Sequence, residues 1–155
     1  MNNDAVLVQI RGIMPADAGS HITCYHIFVG NDEKVFIIQV EPQIGAIIGR
    51  FVRGTPNERP LTHDLINSIF KGFNISIERV VITDLKNSTY FARLILQEHN
   101  ELGRKIVEVD ARPSDCLALA TAQKRPIYVA AKLWEQVEDM SAVLDQINES
   151  GNESE

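Results

Sequence analysis

The sequence predicts an α+β fold, a mostly antiparallel or mixed sheet with helices packed against it in one compact domain. Three observations carry this. Candidate strands come in adjacent runs rich in β-branched residues, "AVLVQIRG" (5–12), "ITCYHIFVG" (22–30) and "KVFIIQV" (34–40), then "ISIERVVITDL" (75–85), "STYFARLILQ" (88–97) and "RKIVEVDA" (104–111). Helical periodicity falls between and after these runs, the pattern of α+β rather than of alternating βαβ units. The chain has 155 residues, 45% of them hydrophobic, which suits a single core.

Each element has its local reason. The second and third runs flank the turn-like "NDE" and read as a hairpin, while "MPADAGSH" (14–21) before them reads as a loop. In "EPQIGAIIGRFVRG" (41–54), Pro42 suits a first helical position, Ile44, Ile47, Ile48 and Phe51 form one stripe, and Gly54 is a stop. Gly45 and Gly49 allow a close neighbour and make this helix a candidate dimer surface. In "RPLTHDLINSIFKGF", Thr62 is placed to cap a helix whose inner face would be Leu65, Ile66, Ile69, Phe70 and Phe73. The next three strands form a meander joined at "KNS" and "EHNELG". A helix over 113–124, a short strand "PIYVA" (126–130) and a helix near 131–147 follow. Residues 1–147 are taken as the domain and 148–155 as a disordered acidic tail.

Net charge is −6, but the acidity is concentrated near the end. No basic residue follows Lys132, whereas residues 1–132 carry 15 Lys and Arg against 14 Asp and Glu. The body neither favours nor excludes a polyanion. No apolar run reaches the roughly 20 residues of a membrane helix. The start, "MNNDAVLVQIRG", lacks the pattern of a signal peptide. Cys24 and Cys116 have no CxxC partner, so the expectation is buried thiols in a cytoplasmic protein.

The polar stretch "VDARPSDCLALA" (109–120) invites two readings. As structure, Pro113 opens a helix, Asp115 is the acidic half of a capping box, and Arg112 pairs with a neighbouring carboxylate. As chemistry, Asp110 and Asp115 are oxygen ligands for a divalent cation, Mg or Mn. Arg112 is then a planar fork for phosphate, beside the amino end of a helix. "RPLTHD" (59–64) offers Arg59, the imidazole of His63 and the carboxylate of Asp64, with the bland reading of an exposed histidine and a dipole partner. No Walker A, GxGxxG, HExxH or GxSxG motif is present.

Together, "RPLTHDLI", "VVITDLKNSTYFARL" and "VEVDARPSDCLALA…PIYVA" resemble the bifunctional nuclease domain family, over about residues 22–140. The resemblance implies a dimeric α+β domain with DNase and RNase activity. Arg59, Pro60, Thr62, His63 and Asp64 match its first polar motif, Thr83 and Asp84 its second, and Asp110, Arg112, Pro113, Ser114 and Asp115 its third. Two departures stand out. Ser88 occupies a turn position often glycine, and Ile44 lies near where relatives often carry an acid after the first helix's proline.

The expected activity is metal-assisted hydrolysis of DNA or RNA phosphodiesters by a homodimer with no membrane association. His63, Asp64, Asp110 and Asp115 would be catalytic, with Asp110 and Asp115 on the metal and Arg59, Arg112 and Ser114 on the substrate. The rival expectation is a non-catalytic dimeric interaction module whose polar motifs are caps and salt bridges. A weaker third is a sensor of a small phosphorylated ligand.

Overall fold

The computed structural model of the chain describes residues 4–152. Its elements are β1 (Ala5–Ala18), β2 (His21–Gly30), β3 (Val35–Val40), α1 (Pro42–Arg53), α2 (Thr62–Gly72), β4 (Ile75–Lys86), β5 (Thr89–Asn100), β6 (Gly103–Ala111), α3 (Pro113–Gln123), β7 (Ile127–Ala130), α4 (Ala131–Gln136) and α5 (Ser141–Asn152). The strands form one seven-stranded mixed sheet in the order β3-β2-β1-β7-β4-β5-β6. All neighbours are antiparallel except β4 and β7, and this parallel pair is bridged by the crossover through α3. The expected α+β class is what the chain adopts.

Period-two burial puts helices on both faces of the sheet. In β2, Ile27 and Val29 enter the main core, whereas Phe28 joins a second cluster with Val35, Leu144 and Ile147. Leu144 and Ile147 belong to α5, so α5 covers the face opposite α1 and α3. α3 is buried along Cys116, Leu117, Ala118, Leu119 and Ala120, because α1 lies on one side of it and β4 and β5 on the other. A helix apolar nearly all round belongs in such a sandwiched position.

The structure departs from expectation at four places. The loop expected over 14–21 is strand: β1 runs to Ala18 and turns at Gly19 and Ser20 into β2. Pairing as far as Ala18↔His21 overrides the local propensity, and β7 pairs only with Ala5–Val8, so Pro15 lies where β1 has one open edge. The helix near 131–147 is two helices. At the break, Asp139 Oδ1 accepts from Val35 N at 3.1 Å, Ser141 N at 3.0 Å and Ser141 Oγ at 2.6 Å, while Met140 N donates to Val35 O at 2.6 Å. Hydrogen bonds from the Ser141 hydroxyl and from backbone amides hold the Asp139 carboxyl below its ordinary range. α5 then continues through Asn152, into the segment expected to be a disordered tail, and the last residues, 153–155, lie outside the described part.

The fourth departure is on α2. Leu61, not Thr62, takes the cap position, and Thr62 is the first helical residue. Ile66 and Phe70 pack on the core, but Leu65, Ile69 and Phe73 are exposed. The apolar face is wider than the strip that β4 and α3 cover. Both glycines of α1 are buried; Gly45 lies against Tyr25 of β2, whereas the nearest side chain to Gly49 is that of Arg53 on the same helix.

The β4–β5 hairpin turns at Asn87 and Ser88, with φ of 51° and 62°. A two-residue turn with both central residues left-handed is the kind that matches strand twist, and it favours glycine at its second position. Ser88→Gly is therefore expected to raise unfolding free energy by about 0.5 kcal/mol, because relief of left-handed strain exceeds the added chain entropy. Urea denaturation with an unchanged m-value would register it.

Candidate functional site

The starts of α2 and α3 meet. Arg112 caps α3 in extended backbone (φ −64°, ψ 142°) and Pro113 occupies the first position, which sets Asp115 in the first turn. The Asp115 carboxylate is shared by two cationic-type partners. Oδ1 lies 2.9 Å from His63 Nε2 and 3.3 Å from Arg112 Nη2, and Oδ2 accepts from Arg112 Nε at 2.9 Å. A guanidinium fork on a carboxylate is a strong, orienting pair. Burial alone would push the Asp115 carboxyl up, but hydrogen bonds from Arg112 and His63 outweigh it and hold it below its usual range. Donating to Asp115 in turn raises the Arg112 guanidinium further.

His63 is 8% exposed. With the carboxylate accepting, Nε2 carries the proton and donates, which leaves Nδ1 buried with no hydrogen-bond partner. That nitrogen is the one a water-activating histidine would use, and it has no solvent access. Asp64 is also engaged: Oδ2 accepts from Leu61 N and from Asn57 Nδ2, each at 2.9 Å, so it closes the first turn of α2. Arg59 lies apart, on a different hollow of about 820 Å³ with Arg50, Thr62 and Leu65. Asp110 sits exposed on β6 opposite Arg93, and its side chain makes no hydrogen bond or ion pair among the described residues. Thr83 Oγ1 donates to Phe91 O at 3.3 Å, and Asp84 is exposed.

Beside Arg112 opens a hollow of about 620 Å³. Arg112, Pro113 and Ser114 form one wall, the β4–β5 turn with Ser88, Thr89 and Tyr90 another, and His26, Gln39 and Glu41 a third. Arg112 Nη1 is 4.0 Å from Glu41 Oε1, a loose contact that leaves one edge of the guanidinium facing the hollow. Burial raises the Tyr90 phenol. His26 lies outside the polar motifs of the sequence. It pairs with Gln39 on β3 and shares the hollow with residues of the β4–β5 turn and the start of α3, an arrangement that no local spacing encodes.

The carboxylates expected to hold Mg or Mn do not make a ready cation site. Both Asp115 oxygens already accept from a guanidinium, and a divalent ion placed there would face that positive charge. Among the described residues no three His, Cys, Asp or Glu side chains gather as a metal-binding group. Cys116, next to Asp115, is pushed up to about 12 by burial, so it is an inert packing thiol, and both cysteines are free and buried. No helix among the described residues is long and apolar enough to cross a membrane.

Comparison with known proteins adds two findings. Two uncharacterised proteins of Mycobacterium tuberculosis, from strains CDC 1551 and H37Rv, are each 34% identical over 99 residues, 64% of this chain. The match covers 56% of each relative, so the chain spans about half the length of these curated relatives. The family model described as the bifunctional nuclease domain matches residues 27–141, which include the end of β2, all of β3, both converging helix starts and the walls of the hollow apart from His26. The chain belongs to the bifunctional nuclease domain family.

Proposed function

We propose that this protein is a nuclease that hydrolyses phosphodiesters of DNA or RNA in the hollow at the start of α3, acting as a cytoplasmic homodimer. The observation that carries this reading is the fixed Arg112. Its Nε and Nη2 are held by Asp115, and Asp115 is backed in turn by His63, so the remaining edge of the fork is oriented toward the hollow without further ordering. Arg112 and the Ser114 hydroxyl bind the phosphate oxygens. An incoming phosphate displaces Glu41 from its loose contact with Arg112. His26, which also lines the hollow, accepts a proton from the attacking water, oxygen adds to phosphorus, the P–O bond to the leaving sugar breaks, and the sugar oxygen takes a proton from solvent. His63, Asp64 and Asp115 are positioning residues on this reading, because each is already bonded within the protein.

The test is cleavage of labelled single-stranded DNA, duplex DNA and RNA by the purified chain, with Mg²⁺, with Mn²⁺ and with chelator. The metal arms are included because Asp110 and Asp115 do not form a ready cation site. Arg112→Lys loses the planar fork and is expected to cut the rate at least about tenfold, roughly 1.4 kcal/mol of transition-state stabilisation. His26→Gln is expected to do the same while substrate binding persists. Equal activity in both variants would remove the hollow from the reaction.

The engagement of Asp115 and Asp64 by neighbours within the chain favours a second reading, a non-catalytic interaction module in which the polar motifs are caps and an ion-pair network. Absence of cleavage under all metal conditions would support it.

A further inference from the structure

The two edges of the sheet are treated differently. β3 is mostly buried, and its first residue is closed by the Met140 amide and the Asp139 carboxylate. β6 is nine residues long, exposed from Gly103 to Asp110, and pairs with β5 without a register shift, whereas the β1–β2 and β4–β5 pairings each carry two. It contains no proline, and among the described residues nothing bonds to the backbone row on its far side. Ile106, Val107 and Val109 on it are 38–48% exposed. A long, regular, partly apolar edge without a bulge is a template for another strand.

We infer that β6 is a docking edge for a second copy of this chain, which adds its own β6 antiparallel across a two-fold axis at Val107. The inference rests on the homodimer proposed above and assigns its surface. In such a pairing, directly opposed residues share a face, so the two numbers of each pair must differ evenly. Centring on Val107 sets Val107 against its own copy and Arg104 against the partner's Asp110. Charge favours this register over one centred on Ile106, which would set Arg104 against Glu108: Glu108 already lies 3.9 Å from Arg93, while the Asp110 side chain has no partner among the described residues. The contact is isologous and closes on itself, and the tied-down start of β3 discourages growth from the other edge.

Sedimentation velocity over a concentration series tests it. The unaltered chain is expected to run at twice the chain mass. Arg104→Asp and Asp110→Arg each place like charges across the axis at both ends and are expected to weaken the dimer at least tenfold. An equimolar mixture of the two single variants, and the double variant, each restore opposite-charge pairs and are expected to recover it. Melting curves show that each variant is folded. A dimer unmoved by either single variant, or a mixture that fails to recover, overturns the docking edge and leaves the homodimer standing. A monomer at every concentration overturns both.

Discussion

Asp115→Ala is expected to lower unfolding free energy by about 2–3 kcal/mol, among the largest losses from any single polar substitution in the chain. The side chain is 28% exposed, so its ion pair with Arg112 is partly screened and would not by itself cost so much. His63 adds the rest. Its side chain is 10% exposed and its Nδ1 is already unpartnered, so removing Asp115 leaves both ring nitrogens buried without a bond. The change also removes the tie between α2 and α3. Asp115→Asn keeps an oxygen for one partner but sets an amide toward the other, and an intermediate loss is expected. The pH dependence gives an independent check. The folded state holds the Asp115 carboxyl below its ordinary value of 3.8. The unfolded chain therefore binds the proton first as pH falls. The contribution is complete above the ordinary value and disappears as pH drops through and below it. Asp115→Asn should flatten this part of the acid limb. Urea titrations between pH 3 and pH 6 measure both effects. An Asp115→Asn protein as stable as the original and with the same acid limb would contradict the network geometry.

Much of the fold was legible because its signals are local. Strand runs with β-branched residues, Pro42 and Gly54 at the ends of α1, and the "KNS" turn each specify their own conformation. Misses came where distant chain decides. Pro15 reads as loop until β2 pairs with it, and residues 131–147 read as one helix until Asp139 and Met140 turn back to Val35. The site divides in the same way. The polar motifs marked the helix starts that converge, since His63, Arg112 and Asp115 lie in them. They did not reveal that Asp64 is spent on its own helix, that Arg59 faces another hollow, or that His26 lines the same hollow as Arg112. The same residue types that read as catalytic also cap helices, and only the partner atoms separate the two uses.

Gly45→Ala is the other large loss expected, about 2 kcal/mol or more, and it bears on the site through α1. A methyl group at Gly45 would overlap Cγ and Cδ2 of Tyr25 and stand 2.6 Å from its Cβ. The Cβ cannot swing aside as a ring can, so the backbones of α1 and β2 must separate. Overpacking of this kind costs about 1–3 kcal/mol, against which alanine recovers up to about 1 kcal/mol of helix propensity. The steric term wins because the contact is with the root of the side chain. Gly49, one turn along the same helix, reverses the sign. A methyl there meets only the guanidinium end of Arg53, at 3.2 Å, which is free to move. Gly49→Ala is expected to be neutral or to stabilise by up to about 1 kcal/mol. Propensity gain is common to both substitutions, so the difference between them reports the α1–Tyr25 packing alone. That packing also sets Glu41, at the α1 amino end, against Arg112. On the nuclease reading proposed above, a displaced α1 should therefore alter nucleic-acid cleavage in Gly45→Ala at temperatures where the protein is still folded, while Gly49→Ala cleaves normally. Thermal melts paired with cleavage rates separate the outcomes, and equal stability in the two variants would mean that α1 does not lie on Tyr25.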